Sequence, residues 1–289
     1  MASNVFAISM NCYTWGRFDV GQCIEPIRQS PIRLLELPAG QTRPGSLIPE
    51  LMLDQPLGGR WQYSVPDLQA LIAEAGLEVE ALAVFGFFRD EQGAAILRRR
   101  VDFARALGAT TIVLGCHDAS EPASERPRYY ELIREVADYA APRGIRFALE
   151  IQAGMVQNAE TALTTLDAID RPNLGINFDT ANLLYYNDDC DPAAELKAMA
   201  PRVVHVHLKD ILRGASRAEH RFPPFGQGEV DFRTVFDVLH DAGFYGPFSF
   251  EVESYYYDET TDDIQDCQDD LMASIDHVRS IGEFAATVH

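Results

Sequence analysis

Short apolar runs alternate along this chain with longer amphipathic stretches, and the apolar run comes first in every pair. Eight runs rich in Ile, Val, Leu or Phe predict strands near Phe6–Met10, Leu34–Pro38, Val79–Val84, Thr111–Gly115, Arg146–Glu150, Gly175–Asp179, Val203–Leu208 and Phe248–Val252. Helical periodicity predicts helices over Val65–Ala75, Gln92–Leu107, Arg128–Ala141, Ala159–Ile169, Pro192–Met199, Phe232–Ala242 and Asp263–Phe284. Glycines at 76, 108, 144 and 243 stand where several of these helices should stop. Strand–helix alternation of this kind builds a parallel sheet. Eight units favour its closed form, so the fold class expected is α/β, a (β/α)8 TIM barrel occupying residues 1–289 as a single domain. The open, doubly wound alternative lacks its glycine fingerprint: the segment Asn11–Trp15 after the first strand carries no G-x-G-x-x-G, and no P-loop is present.

Two stretches interrupt the rhythm. Gly40–Tyr63 after strand two and Ile211–Val230 after strand seven read as long loops. Loops that follow barrel strands lie on the face where substrate sites are built, so both are expected to be pocket walls or lids.

Composition narrows the partners. With 24 Lys+Arg against 44 Asp+Glu, a formal charge of −20 disfavours binding to a phosphate backbone, and nucleic acid is excluded as the expected partner. Five scattered cysteines (Cys12, Cys23, Cys116, Cys190, Cys267) are odd in number and form no C-x-x-C pair. This pattern suits a reducing, cytoplasmic setting better than a disulfide framework. No apolar run approaches membrane-spanning length and no secretory signal opens the chain, so no membrane association is expected. At 47% hydrophobic residues there is ample material for a large core.

Chemistry enters at the ends of strands five to eight. Phe147–Glu150, Ile176–Asp179, Val204–His207 and Phe248–Glu251 each close an apolar run with a metal-ligand side chain. Glu150, Asp179, His207 and Glu251 follow one another at 29, 28 and 44 residues, against roughly 31 per βα unit of a barrel. A lone acid at a strand end is ordinarily a helix cap or a surface charge; four in step point to one rim. Three carboxylates brought together would raise one another's pKa values unless a cation compensated. An oxygen-rich set with one imidazole suits Mn²⁺ best, with Co²⁺ or Mg²⁺ as alternatives, and lacks the thiolates of a structural zinc site. His205 faces the same side as His207 by the period of two and reads as a hydrogen-bonded core histidine.

The segments Ala148–Glu150, Asn177–Asn182, His205–Asp210, Gly226–Phe232 and Ser249–Glu251 resemble the sugar phosphate isomerase/epimerase superfamily with its xylose-isomerase-like barrel. The resemblance spans about half the chain and includes ketose 3-epimerase-like and inosose dehydratase-like branches. It implies a metal held by Glu150, Asp179, His207 and Glu251, with Glu150 and Glu251 also acting as the acid/base pair. It further implies that Asn182 and Arg213 stand at substrate-contacting positions. Two residues depart from the epimerase pattern: Val156 replaces a glutamate six residues beyond Glu150, and Asn182 replaces a histidine. The His-Leu-Lys-Asp run at 207–210 is closer to the dehydratase-like branch.

The function expected is therefore a divalent-metal-dependent sugar or keto-sugar isomerase or epimerase. It would abstract a proton next to a carbonyl, giving a metal-stabilised enediolate. A keto-polyol dehydratase or 3-keto-glycoside lyase would share that first step, and a non-catalytic sugar-binding or assembly subunit is the alternative of a different class. A nuclease like endonuclease IV would need more histidine ligands and a basic face. His117 and Lys209 are further candidates for proton transfer or substrate binding, although Lys209 could instead pair with Asp210 or another acid on a solvated face. Glu36 and Trp15 are candidate pocket-lining residues on the opposite side. Arg213, Arg217, His220 and Arg221 form a basic loop that could hold hydroxyls, a carboxylate or a phosphate, or simply be exposed. Tyr255, Tyr256 and Tyr257 are candidates for the pocket or for a homo-oligomer interface.

Overall fold

The computed structural model describes residues 3–10, 20–39, 64–85, 90–115, 123–253 and 263–284. Its strands are β1 (Phe6–Ser9), β2 (Leu34–Pro38), β3 (Glu78–Val84), β4 (Thr111–Gly115), β5 (Arg146–Glu150), β6 (Leu174–Asp179), β7 (Val203–Leu208) and β8 (Phe248–Phe250). All pair in parallel with their sequence neighbours, and β1 closes the ring on β8 through Phe6↔Phe248, Ala7↔Ser249 and Ile8↔Phe250. This is the expected (β/α)8 barrel.

Nine helices are described: α1 (Val20–Gln29), α2 (Val65–Glu74), α3 (Glu91–Leu107), α4 (Arg126–Ala140), α5 (Ala159–Ile169), α6 (Thr180–Tyr186), α7 (Pro192–Met199), α8 (Phe232–Asp241) and α9 (Ile264–Ser280). Their buried faces meet the strands in one large apolar core, while Ala181 and Leu184 of α6 pack with Ile211 and Phe222 in a separate smaller cluster. Local chemistry fixes several boundaries. Asp90 caps α3 through Gly93 N–H (2.8 Å), and Asn158 with Thr161 forms a capping box on α5. Each such cap contributes about 1 kcal/mol. Gly108, at φ 84°, ends α3 in the left-handed conformation that a side chain would resist.

Two helices were not expected. Val20, Cys23, Ile24 and Ile27 bury one face of α1 at helical spacing, and that burial outweighs a penalty of about 3 kcal/mol for Pro26 within the helix. The short α6 follows β6 without a loop because Asp179, the last strand residue, is also its N-cap.

The barrel axis is polar. Ser9, Glu36, Asn177, His205 and Ser249 are fully buried inside it. Register shifts at Leu35/Glu36 and Ile176/Asn177 re-aim the strands where two of these residues occur.

The loop after β7 is ordered by a buried acid. Asp210 accepts backbone N–H groups from Ile211 (2.9 Å), Gly226 (2.9 Å), Gly228 (2.8 Å) and Val230 (3.1 Å). A bridge between Leu212 and Arg221 closes the outer part. Gly40–Tyr63, the other expected long loop, lies outside the described residues.

Candidate functional site

Parallel strands aim their C-terminal ends at one rim, and four of these ends meet. Glu150 and Asp179 are the last residues of β5 and β6, His207 is the penultimate residue of β7, and Glu251 stands one residue beyond β8 with its N–H on Leu208 O (2.9 Å). One ligand atom from each lies within 4.8 Å of the others, and all four side chains are buried. The strand-end spacing thus brings the four predicted ligands together.

His207 turns Nδ1 toward the acids, 3.1 Å from Glu150 Oε1, 3.4 Å from Glu251 Oε2 and 3.9 Å from Asp179 Oδ2. Asp179 Oδ1 accepts N–H groups of Ala181 (2.9 Å) and Asn182 (2.7 Å), while buried Oδ2 has no hydrogen-bond partner. Gln152 Nε2 donates to Glu150 Oε2 at 2.6 Å. A Cβ on Gly115 would crowd Phe85 Cδ1 at 3.0 Å and stand in ordinary contact with this pair, 3.4 Å from Gln152 Oε1 and 3.6 Å from Glu150 Oε2.

Burial, opposed by His207 and reinforced by Glu251, raises the Glu150 pKa. Burial pushes Asp179 well above the usual carboxylate range; Lys209 opposes the shift, and Glu251 and Glu150 add to it. For His207, burial favours the neutral ring, but Glu36, Glu251 and Glu150 prevail and hold its pKa well above the ordinary imidazole value. Negative charge is therefore crowded here, and a divalent cation is the natural counter-charge. An unpartnered buried carboxylate oxygen among three carboxylates and one imidazole fits such an ion.

Lys209 enters from the side of β7. Its Nζ is 2.7 Å from Glu253 Oε2 and 3.4 Å from Glu251 Oε2, and it lies over the Phe222 ring at 4.6 Å from the centroid. Lys209 thus pairs with acids other than Asp210, as the second alternative expected, but the solvated face is corrected: Lys209 is 5% exposed and Asp210 1%. His205 is the expected core histidine, with Nδ1 2.9 Å from Asn177 Oδ1 and Nε2 3.2 Å from Glu80 Oε2.

Glu36 also departs from the expectation. Rather than lining a pocket wall it is fully buried beneath His207, because Ser9 Oγ donates to Oε1 (2.8 Å) and His207 Nε2 lies 3.0 Å from Oε2. Burial would raise its pKa, but His207 and His205 hold it below the usual range.

Asn182 is buried in the first turn of α6, next to Asp179. Arg213 turns outward to Glu229, with Nε and Nη2 each 2.9 Å from Oε2. In the same loop, His220 Nδ1 accepts Gly214 N–H (3.1 Å), Arg217 reaches Tyr186 O (3.5 Å), and Arg221 Nη1 donates to His220 O (2.9 Å). Trp15, His117 and Tyr255–Tyr257 lie outside the described residues.

Three residues beside the site were missed. Gln152 and Glu253 stand two positions beyond Glu150 and Glu251, and the strand period of two could have found them. The Tyr186 hydroxyl, whose pKa is pushed up to about 12, first by burial and further by Glu150 and Asp179, carried no comparable sequence signal.

Comparison with known proteins gives the same architecture. The family model described as xylose isomerase-like TIM barrel matches residues 50–279. The chain belongs to this family. Among curated proteins it is 28% identical over 201 residues to the L-ribulose-5-phosphate 3-epimerase UlaE of Salmonella paratyphi A, an alignment covering 65% of this chain and 69% of that protein. Two solved structures share the fold over nearly their full length. One is the IOLI protein with a binding zinc atom, at TM-score 0.73 and 16% identity, covering 98% of this chain and 100% of that one. The other is a D-allulose 3-epimerase from Methylomonas sp. in complex with D-allulose, at TM-score 0.69 and 18% identity, covering 96% and 98%. Among the described residues, no helix is long and apolar enough to cross a membrane. Among the described cysteines, Cys190 is a free thiol.

Proposed function

We propose that this protein is a divalent-cation-dependent sugar or keto-sugar epimerase or isomerase, with Glu150, Asp179, His207 and Glu251 holding the cation. The observation that carries the proposal is the buried, unpartnered Asp179 Oδ2 within a cluster of three carboxylates and one imidazole. The donor set favours Mn²⁺, with Co²⁺ and Mg²⁺ as substitutes. A zinc-binding structural neighbour and two sugar 3-epimerases among the relatives support the same reading.

When bound, the cation supplies Lewis-acid polarisation of a substrate carbonyl and the hydroxyl beside it. The protein's own groups then handle the proton. Glu150 and Glu251 approach from β5 and β8, three strands apart around the ring, and act as the acid/base pair. One carboxylate takes the proton from the carbon next to the carbonyl. Return of a proton by the other carboxylate to the opposite face gives the epimer; return to the neighbouring carbon, with a proton passing from the adjacent hydroxyl to the former carbonyl oxygen, gives the isomer. In the cation-free protein burial and Glu251 raise the Glu150 pKa, which would offset part of the lowering that a bound cation brings. Lys209, beside Glu251, balances part of the negative charge throughout.

The test is incubation of Mn²⁺-loaded protein with ketoses, ketose phosphates, inososes and 3-keto-glucosides in D₂O, read by NMR. Deuterium next to the carbonyl of an epimer or isomer is expected. A dehydrated or cleaved product would replace epimerisation by elimination, and no exchange across the panel would refute an enolising enzyme.

A further inference from the structure

His207 has acids on both of its ring nitrogens, and they belong to two different groups. On the Nδ1 side stand Glu150, Asp179 and Glu251, the proposed cation ligands. On the Nε2 side stands Glu36, deeper in the barrel, with Oε2 at 3.0 Å. Without a cation a charged ring can donate to both sides, but a ring that holds a cation must leave one nitrogen bare.

We infer that Glu36 is a positioning residue: by accepting the Nε2–H of His207 it fixes the tautomer that presents the bare Nδ1 to the cation cluster. The inference rests on the cation reading proposed above and assigns Glu36 a role distinct from touching substrate.

Three observations support it. The Glu36 carboxylate is itself held, since Ser9 Oγ donates to Oε1 at 2.8 Å from the neighbouring strand, in register with Glu36. That bond leaves Oε2 turned toward His207. The second histidine does not compete strongly for it: His205 Nε2 lies 3.5 Å from Glu36 Oε2 but 3.2 Å from Glu80 Oε2, and its Nδ1 is 2.9 Å from Asn177 Oδ1. Finally, Glu36 and Ser9 are completely buried, so no solvent rearrangement offers His207 Nε2 another acceptor. A neutral imidazole carries its single proton on one nitrogen, and a carboxylate on one side assigns the lone pair to the other. A cation ligand whose far N–H is so anchored loses about ten- to hundredfold in metal affinity when the anchor is removed.

The experiment uses Zn²⁺ as a diamagnetic probe on the full chain, with the dissociation constant read by chelator competition and the His207 ring by long-range ¹H–¹⁵N correlation. In the wild type, one zinc per chain is expected, with His207 protonated on Nε2 and ligated through Nδ1. Glu36→Ala should weaken zinc about ten- to hundredfold and shift the Nε2–H resonance of the zinc-bound His207 ring, which has lost its carboxylate acceptor. Glu36→Gln, whose amide oxygen still accepts Nε2–H, should recover most of the affinity. A residue that merely filled space would lower thermal stability without moving either readout.

Wild-type affinity in a folded Glu36→Ala protein, or ligation through Nε2, would overturn the inference while leaving the cation site standing. Two zinc ions per chain would also overturn it, by placing a second ion between Glu36, His205 and His207. A wild type that binds no zinc would refute the cation reading and the inference with it. Should Glu36→Ala not fold, Ser9→Ala decides: a severalfold loss of zinc affinity supports the inference, and unchanged affinity with an unchanged ring spectrum contradicts it.

Discussion

Lys209 and Glu253 form a buried ion pair at the edge of the site, with Nζ 2.7 Å from Oε2 and both residues under 7% exposed. Glu251 Oε2 lies 3.4 Å from the same ammonium, so one lysine serves a proposed cation ligand and its neighbour two residues on. Breaking a buried pair leaves a charge uncompensated and costs about 3–5 kcal/mol. Lys209→Met is expected to destabilise the cation-loaded protein by that amount in chemical denaturation. Adding Glu253→Gln should restore more than about 1 kcal/mol, because the two changes remove partners of one interaction. Additive losses would show that the pair is not energetically coupled.

The loop after β7 depends on Asp210. Its carboxylate takes four backbone N–H groups, from Ile211, Gly226, Gly228 and Val230. Gly228 approaches it so closely that a Cβ would come within 2.4 Å of Oδ1. Asp210→Ala is expected to cost about 3 kcal/mol, since buried donors are left without an acceptor. In hydrogen exchange, the amides of Gly226, Gly228 and Val230 should lose protection ahead of the barrel strands. Unchanged protection would contradict the clasp.

Asp179 gives the cation-free protein a predictable pH dependence. Its folded pKa is raised well above the ordinary value of 3.8, so the unfolded chain gives up this proton at lower pH than the folded one. Its contribution to stability is therefore full in acid and falls as pH rises from about 4 through the folded pKa. Asp179→Asn retains an oxygen for the Ala181 and Asn182 N–H groups while removing the charge. At pH 7 the cation-free variant should be more stable than the cation-free wild type, with the difference shrinking toward pH 4. A difference independent of pH would show that Asp179 carries no such penalty.

The barrel and its four converging side chains were legible because both follow from periodicity. Apolar runs place the strands, and parallel order sends Glu150, Asp179, His207 and Glu251 to one rim. Glu36 was assigned to the right strand and the wrong depth, since the strand pattern reports which side a residue faces but not how far down the axis it lies. Lys209 and Asp210 resembled a solvated polar run. Their burial depends on Glu253 and on the amides of Gly226–Val230, partners distant in sequence. α1 was obscured by Gly21 and Pro26 despite its apolar spacing, and α6 by Asp179 being at once strand end and helix cap.

The central claim, one divalent cation held by Glu150, Asp179, His207 and Glu251, is tested most directly by calorimetric titration of chelator-stripped protein with Mn²⁺. One ion per chain is predicted for the wild type, with binding lost or weakened at least a hundredfold in a folded Glu150→Gln protein. No binding by the wild type, or the same stoichiometry and affinity in the variant, would contradict the account.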